Sequence, residues 1–186
     1  MFDTSKEQTL LHLARAAIAA ELGFISDDLP QSTWMEEPGA TFVTLILRGQ
    51  MRGCIGSLEA NLPLIDDVRH NAVAAAFQDP RFAPLTKEEF ADVIIDVALL
   101  GKPEPVRFSS EQDALMQLRP GVDGVTLEYG SHRATFLPHA WADFPNGQAF
   151  LAHLKSQAGL AEDFWSVDLK LSRFTIRRWR EVEQRE

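Results

Sequence analysis

Apolar residues near the start of the chain recur at helical spacing. Leu10, Leu13, Ala14, Ala17, Ile18 and Leu22 fall three or four apart and so share one helix face. Thr4 and Glu7 have capping-box spacing at its start, Gly23 suits the left-handed residue at its end, and His12 falls on the solvent side. From Ile25 to Ala40 two prolines and several acids break the period. That stretch reads as an irregular connection in which Trp34 and Met35 cap the core or rim a cleft. Thr41 to Leu47 is β-branched and apolar, and Arg48-Gly49-Gln50 suits a turn into a second strand reaching Cys54. Leu64, Ile65, Val68, Ala72, Ala75 and Ala76 give another amphipathic helix, starting near Asn61 and Pro63. It stops at Asp79-Pro80-Arg81-Phe82, since proline disfavours helical geometry in the residue before it. Thr86 and Glu89 repeat the capping-box spacing before a short helix. Val93 to Leu100 is then apolar on both faces except at Asp96, which predicts a central strand whose one acid needs a partner.

Gly101, Pro103 and Pro105 mark the clearest internal joint. Beyond it, Ser109 or Ser110 caps a short helix carrying Ala114, Leu115 and Leu118. Pro120-Gly121 and Asp123-Gly124 supply turns, and Val125 to Tyr129 and His132 to Leu137 form a hairpin around Gly130-Ser131. The tract from Pro138 to Asn146 has no period and reads as a packed loop. Phe150, Leu151, Leu154 and Ala158 build a helix closed by Gly159, with His153 off its apolar stripe. Val167, Leu169 and Leu171 alternate as in a strand, and Phe174 and Ile176 follow after a phase change that a bulge would absorb. The predicted class is α+β, with mixed or antiparallel sheets and flanking helices. Residues 1–186 form one domain, and the joint near 101–107 would divide it into two lobes.

Composition narrows the function. A net charge of -9 opposes nonspecific binding to nucleic acid or an anionic membrane, because the long-range field repels phosphate. Lys170, Arg173, Arg177, Arg178 and Arg180, with Phe174 and Trp179 among them, resemble a nucleic-acid stripe; in so acidic a chain, an edge strand guarded by charge is the stronger reading. The single cysteine cannot form an internal disulfide, and neither a secretory leader nor an apolar run of roughly 20 residues is seen. These point to the cytoplasm. There is no Walker loop, Rossmann fingerprint or cysteine set for an iron-sulfur cluster, so no cofactor is assigned. Asp66 and His70 lie one helical turn apart, but two candidate ligands do not make a metal site.

The chemistry concentrates in Arg52-Gly53-Cys54-Ile55-Gly56. In an extended strand Arg52 and Cys54 share a face at about 6–7 Å, and a cation there favours the reactive thiolate. Gly53 and Gly56 would let another backbone, a substrate or a partner approach the sulfur. Asp79 and Arg81 join the list as substrate contacts, Arg81 through its planar fork, although an ion pair between the two explains them equally well. His139, then His132, is the candidate general base. Two readings stand. Cys54 is a nucleophile or ligand contact in an enzyme acting on a small molecule or protein, or the strand is a recognition groove in a noncatalytic binding or adaptor protein, with Cys54 a small apolar residue in a tight strand.

Met51-Arg52-Gly53-Cys54-Ile55-Gly56 resembles the signature Leu-Arg-Gly-Cys-Ile-Gly of the AMMECR family, whose bacterial members include system protein A of the AmmeMemoRadiSam group. Further matches follow in the family's order: Asp79-Pro80-Arg81-Phe82 with Pro84-Leu85, Gly121-Val122-Asp123-Gly124-Val125, Phe136-Leu137-Pro138, Phe150-Leu151, Ala158-Gly159-Leu160 and Trp165. The resemblance implies a one-domain protein of mixed α and β structure with the signature lining a cleft or lobe boundary. It also implies, as partners in a modification pathway, a Memo-like protein related to metal-dependent dioxygenases and a radical S-adenosylmethionine protein. The family often has glutamine where this chain has His139, so that histidine's candidacy rests on residue type and position alone.

Overall fold

The computed structural model describes residues 6–24 and 32–182, so the expected cap at Thr4 and residues 25–31 of the 25–40 connection fall outside it. The chain divides into two compact units. The first runs to Leu100 and resumes at Arg177; the second is Gly101–Ile176.

In the first unit α1 (Lys6–Glu21) buries Leu10, Leu13, Ala14 and Ile18 and ends at Gly23, whose φ of 78° is the left-handed value expected there. A 3-10 turn at Thr33–Met35 buries Met35. The short strand β1 (Pro38–Gly39) leads into β2 (Thr41–Leu47) and β3 (Gln50–Gly56). Arg48 and Gly49 both take positive φ, 51° and 77°, as a tight two-residue hairpin turn requires. β4 (Leu62–Pro63) pairs antiparallel with β1, and α2 (Leu64–Phe77) follows at once. α3 (Lys87–Asp92) carries the capping box, with Thr86 Oγ1 accepting from Glu89 N and Glu89 Oε2 from Thr86 N. It leads into β5 (Ile94–Leu100). β5 is an inner strand and pairs antiparallel with β2. Val43, Leu45, Ile95 and Val97 project from one sheet face into a core shared with α1 and α2.

The second unit contains β6 (Glu104–Val106), α4 (Glu111–Gln117, capped by Ser110), β7 (Gly124–Tyr129), β8 (His132–Phe136), α5 (Gly147–Gln157) and β9 (Lys170–Phe174). Its sheet has the order β6-β9-β7-β8 and is antiparallel throughout. The core is rich in rings: Trp141 and Phe150 stack with centroids 3.7 Å apart, and Phe136 and Phe144 close around Phe150. Two expectations are corrected. Pro138–Asp143 is a 3-10 helix rather than a loop, seated by Trp141, whose indole N–H donates to the Asp123 carbonyl at 2.7 Å. The phase change near Thr175 is not a bulge: β9 belongs to the second unit's sheet and β10 (Ile176–Arg180) to the first, in the order β10-β5-β2-β3. Val167, 94 % exposed, precedes the strand. Among the described residues no helix is long and apolar enough to cross a membrane.

Candidate functional site

Cys54 lies on β3, an outer strand of the first sheet, and is partly buried. Its N–H does not face β2 but donates to Asp79 Oδ2 at 2.9 Å. Thr44 and Cys54 are therefore a directly opposed pair of the close, non-hydrogen-bonded kind, and Thr44 Oγ1 donates to Sγ at 3.2 Å. Arg81 completes the arrangement. Its Nε and Nη2 fork onto Asp79 Oδ1 and Oδ2 at 3.0 and 2.7 Å, and Nη2 also donates to the Cys54 carbonyl at 3.2 Å. The pair thus stands in for the missing neighbour of an edge strand, with a carboxylate accepting where a carbonyl would and a guanidinium donating where an amide would. The end of α2 and the turn at Pro80 hold Asp79 in place, almost wholly buried, while the Arg81 side chain stays 55 % exposed. Arg81 holds the Asp79 carboxyl well below the usual carboxylate range, against burial that pushes the other way and with help from the N–H groups of Cys54 and Arg81.

The cation beside Cys54 is Arg81 rather than Arg52. The alternation that would put Arg52 on the face of Cys54 is interrupted, because Leu45 faces Gly53 and Ile46 faces Met51, leaving Arg52 as the extra residue of a β-bulge. Arg52 forks onto Glu89 at 3.0 and 2.9 Å and reaches the Pro84 carbonyl at 3.4 Å; its Nη1 is buried without a hydrogen bond. That fork is the main cause of a lowered Glu89 pKa. The glycines are packing positions as well. A Cβ on Gly53 would lie 2.1 Å from the Ala75 carbonyl oxygen of α2, and one on Gly56 would lie 2.2 Å from the Phe42 ring. The close approach that Gly53 permits is that of the helix backbone.

His139 is exposed on the 3-10 helix of the second unit, and His132 Nδ1 is engaged by the Ala158 carbonyl at 2.9 Å. Asp66 and His70 are exposed, and among the described residues no three histidine, cysteine or acidic side chains are grouped to hold a metal ion. Asp123 is fully buried, forked by Arg119, and Gly124 packs on Phe174. Sequence reasoning missed Asp67, whose buried Oδ2 accepts from Thr41 N, Thr41 Oγ1 and Asn71 Nδ2 at 2.7, 2.7 and 3.1 Å. Its i,i+4 spacing to Asn71 on α2 was the available signal.

It also missed a row across the sheet. Thr44 faces Cys54 on one side and Asp96 on the other, so all three side chains share the face opposite the core. Asp96, 1 % exposed, is met by Arg180 Nε at 3.0 Å on Oδ2 and by Arg178 Nε at 3.2 Å from Oδ1, the latter without a hydrogen bond in line. Both arginines are more than half exposed and line a groove of about 1090 Å³ beside β10, to which α1 contributes Glu7, His12 and Arg15, with Asp92 and Glu181 alongside.

Residues 11–179 match the family described as AMMECR1. The chain belongs to the AMMECR1 family. A protein of Methanothermobacter thermautotrophicus is 36% identical over 174 residues, 90% of each chain, and protein MJ0810 of Methanocaldococcus jannaschii is 36% identical over 138 residues, 73% of this chain and 69% of its own. The crystal structure of PH0010 from Pyrococcus horikoshii, described as an uncharacterized protein, matches with a TM-score of 0.74 at 30% identity, covering 94% of this chain and 91% of that one. The α+β architecture with antiparallel sheets is thus an AMMECR1 fold.

Proposed function

We propose that this AMMECR1-family chain is a group-transfer enzyme whose nucleophile is Cys54, acting on a small molecule or on a protein side chain. One observation carries the reading: a buried carboxylate, Asp79, ties a half-exposed guanidinium to the backbone of the residue that bears the thiol. In the step envisaged, the Sγ lone pair forms a bond to an electrophilic carbon. The bond from that carbon to its leaving group breaks with the electrons going to the leaving group, and the thiol proton passes to solvent. Thr44 Oγ1 donates to the sulfur and fixes its position, and Arg81 is the group available to meet negative charge on the substrate. Asp79 is a positioning residue, and Gly53 and Gly56 serve by letting the strand seat. Arg52 steadies the loop bearing Arg81, and no role falls to His139. A reducing cytoplasm suits a free thiol, and a pathway shared with Memo-like and radical S-adenosylmethionine proteins follows from the resemblance alone.

A noncatalytic recognition role is the second reading, favoured by one observation: of the side chains touching Cys54, Thr44 is a donor and Asp79 is too weak a base to take the thiol proton. Two measurements separate the readings. Iodoacetamide labelling of the folded chain, followed by intact mass, should modify Cys54, and Arg81→Met should slow it several-fold. In cells, metabolite profiles of a Cys54→Ser strain should match those of a deletion strain. An inert thiol, or a Cys54→Ser profile like wild type beside an Arg81→Met profile like the deletion, overturns the enzyme in favour of recognition.

A further inference from the structure

The ion pairs of the first unit are not all alike. Arg15 with Glu181, Arg52 with Glu89 and Arg81 with Asp79 each match one cation to one carboxylate through Nε and Nη2 together. Asp96 differs, because one buried carboxylate is shared by two arginines, each meeting it through Nε. The three-residue cluster therefore carries one net positive charge. The outer Nη groups of Arg178 and Arg180, which carry most of a guanidinium's donors, belong to side chains 58% and 55% exposed at the groove beside β10. Glu7 and Asp92 also line the groove, so in a chain of net charge -9 the pull on an anion is confined to the two guanidinium groups that share Asp96.

We infer that Arg178 and Arg180, anchored on Asp96, bind an oxyanion, a phosphate or carboxylate, that forms the remote end of the molecule acted on at Cys54. The binding claim stands on the arginine pair itself; the link to Cys54 rests on the function proposed above. Asp96 is rigid by burial, so it presets both guanidinium groups before a ligand arrives, and little ordering remains to be done on binding. The sheet supplies the ruler. From Cys54 through Thr44 to Asp96 is two strand spacings on one face, roughly 10 Å, and the arginines lie about one strand further at most. The substrate class is therefore an elongated acid whose reacting carbon stands roughly 10–14 Å from its phosphate or carboxylate. Binding energy gathered at that end can orient the reacting end without touching it.

The test has two arms that fail separately. In the first, the full ¹⁵N-labelled chain is titrated with inorganic phosphate at constant ionic strength while the arginine Nε–H signals are followed. Saturable shifts at Arg178 and Arg180 are expected in wild type and equally in Cys54→Ser, with affinity falling roughly tenfold or more in Arg180→Gln, which loses a charge-assisted donor. Arg178→Lys and Arg180→Lys keep the charge that Asp96 needs to stay folded, and should still weaken binding because the fork is gone. Linear or absent shifts, or affinity unchanged in all these variants, overturn the site. In the second arm, Cys54 is alkylated with bromoacetyl compounds of graded length ending in a carboxylate or in its carboxamide. The acid-to-amide rate ratio should peak at a reach of roughly 10–14 Å and flatten in Arg180→Gln. Alkylation with a flat ratio in wild type overturns the bipartite substrate while leaving the thiol site standing. Failure to alkylate with any reagent overturns the thiol site and the link to it, and leaves the phosphate titration to decide the arginine pair.

Discussion

The two units stabilise four-stranded sheets by different means. In the first, buried or part-buried carboxylates accept from strand backbone: Asp79 takes the Cys54 N–H on the outer strand β3, Asp67 the Thr41 N–H, and Glu181 the Ile95 N–H at 2.8 Å. In the second, ring pairs pack around an aliphatic core, from Trp141 on Phe150 to Tyr129 on Phe164 and Phe108 on Trp165. Burial of rings is tolerant of small shifts, whereas a carboxylate replacing a backbone carbonyl is positional to a fraction of an ångström. The side chains suited to chemistry accordingly gather in the first unit, where polar groups are already held in fixed geometry.

The largest effect that would test this contrast is in the ring cluster. Phe150→Ala should cost about 3–5 kcal/mol in denaturant unfolding, since Phe150 is fully buried among Trp141, Phe136 and Phe144. A loss below about 1 kcal/mol would break the claim that the ring cluster supports that unit. Next, Gly53→Ala should cost about 3 kcal/mol, at the upper end for overpacking, because the new methyl meets a helix carbonyl at 2.1 Å. Gly49→Ala adds a methyl that meets nothing within 4 Å but strains a φ of 77°, so it should cost less, about 1 kcal/mol. Asp79→Asn should cost about 1–2 kcal/mol at pH 7, discounted because Arg81 is 55 % exposed. Its pH dependence has a defined sign. The folded carboxyl is held below its unfolded value, so its contribution is complete above about pH 3.9 and drains away as pH falls further toward the depressed value. The gap between wild type and Asp79→Asn in thermal unfolding should therefore be constant from pH 7 to 5 and narrow below 4. The smallest effect belongs to the exposed cross-strand pair of Arg133 and Glu128, where Arg133→Ala should change stability by less than about 1 kcal/mol.

Features set by local spacing were legible in the sequence. The faces of α1 and α2, the Thr86–Glu89 capping box, the turn at Arg48-Gly49 and the inner position of the strand containing Asp96 all follow from residues a few positions apart. Tertiary pairing was not. The chain crosses from one sheet to the other at Thr175, and the phase change there reads equally well as a bulge within one strand, since leucine and phenylalanine bury equally well in either core. The bulge at Arg52 depends on how β3 registers with β2, and period-two counting assumed it away. Asp79 and Arg81 were legible as a pair, but their attachment to Cys54, 25 residues earlier, needed the end of α2 to come back beside β3. Arg178 and Arg180 read as edge-strand charge, and β10 is an edge strand; that they converge on Asp96, more than 80 residues away, could not be counted from spacing.

The contact between Gly53 and the Ala75 carbonyl makes a forecast for how this stretch tolerates change. In a saturation library of residues 51–56, position 53 should reject every alternative to glycine, while Met51, 49 % exposed, should accept most polar and apolar replacements. The six-residue signature would then resolve into unequal letters, some kept because a helix leans on them and others only because of what the protein does.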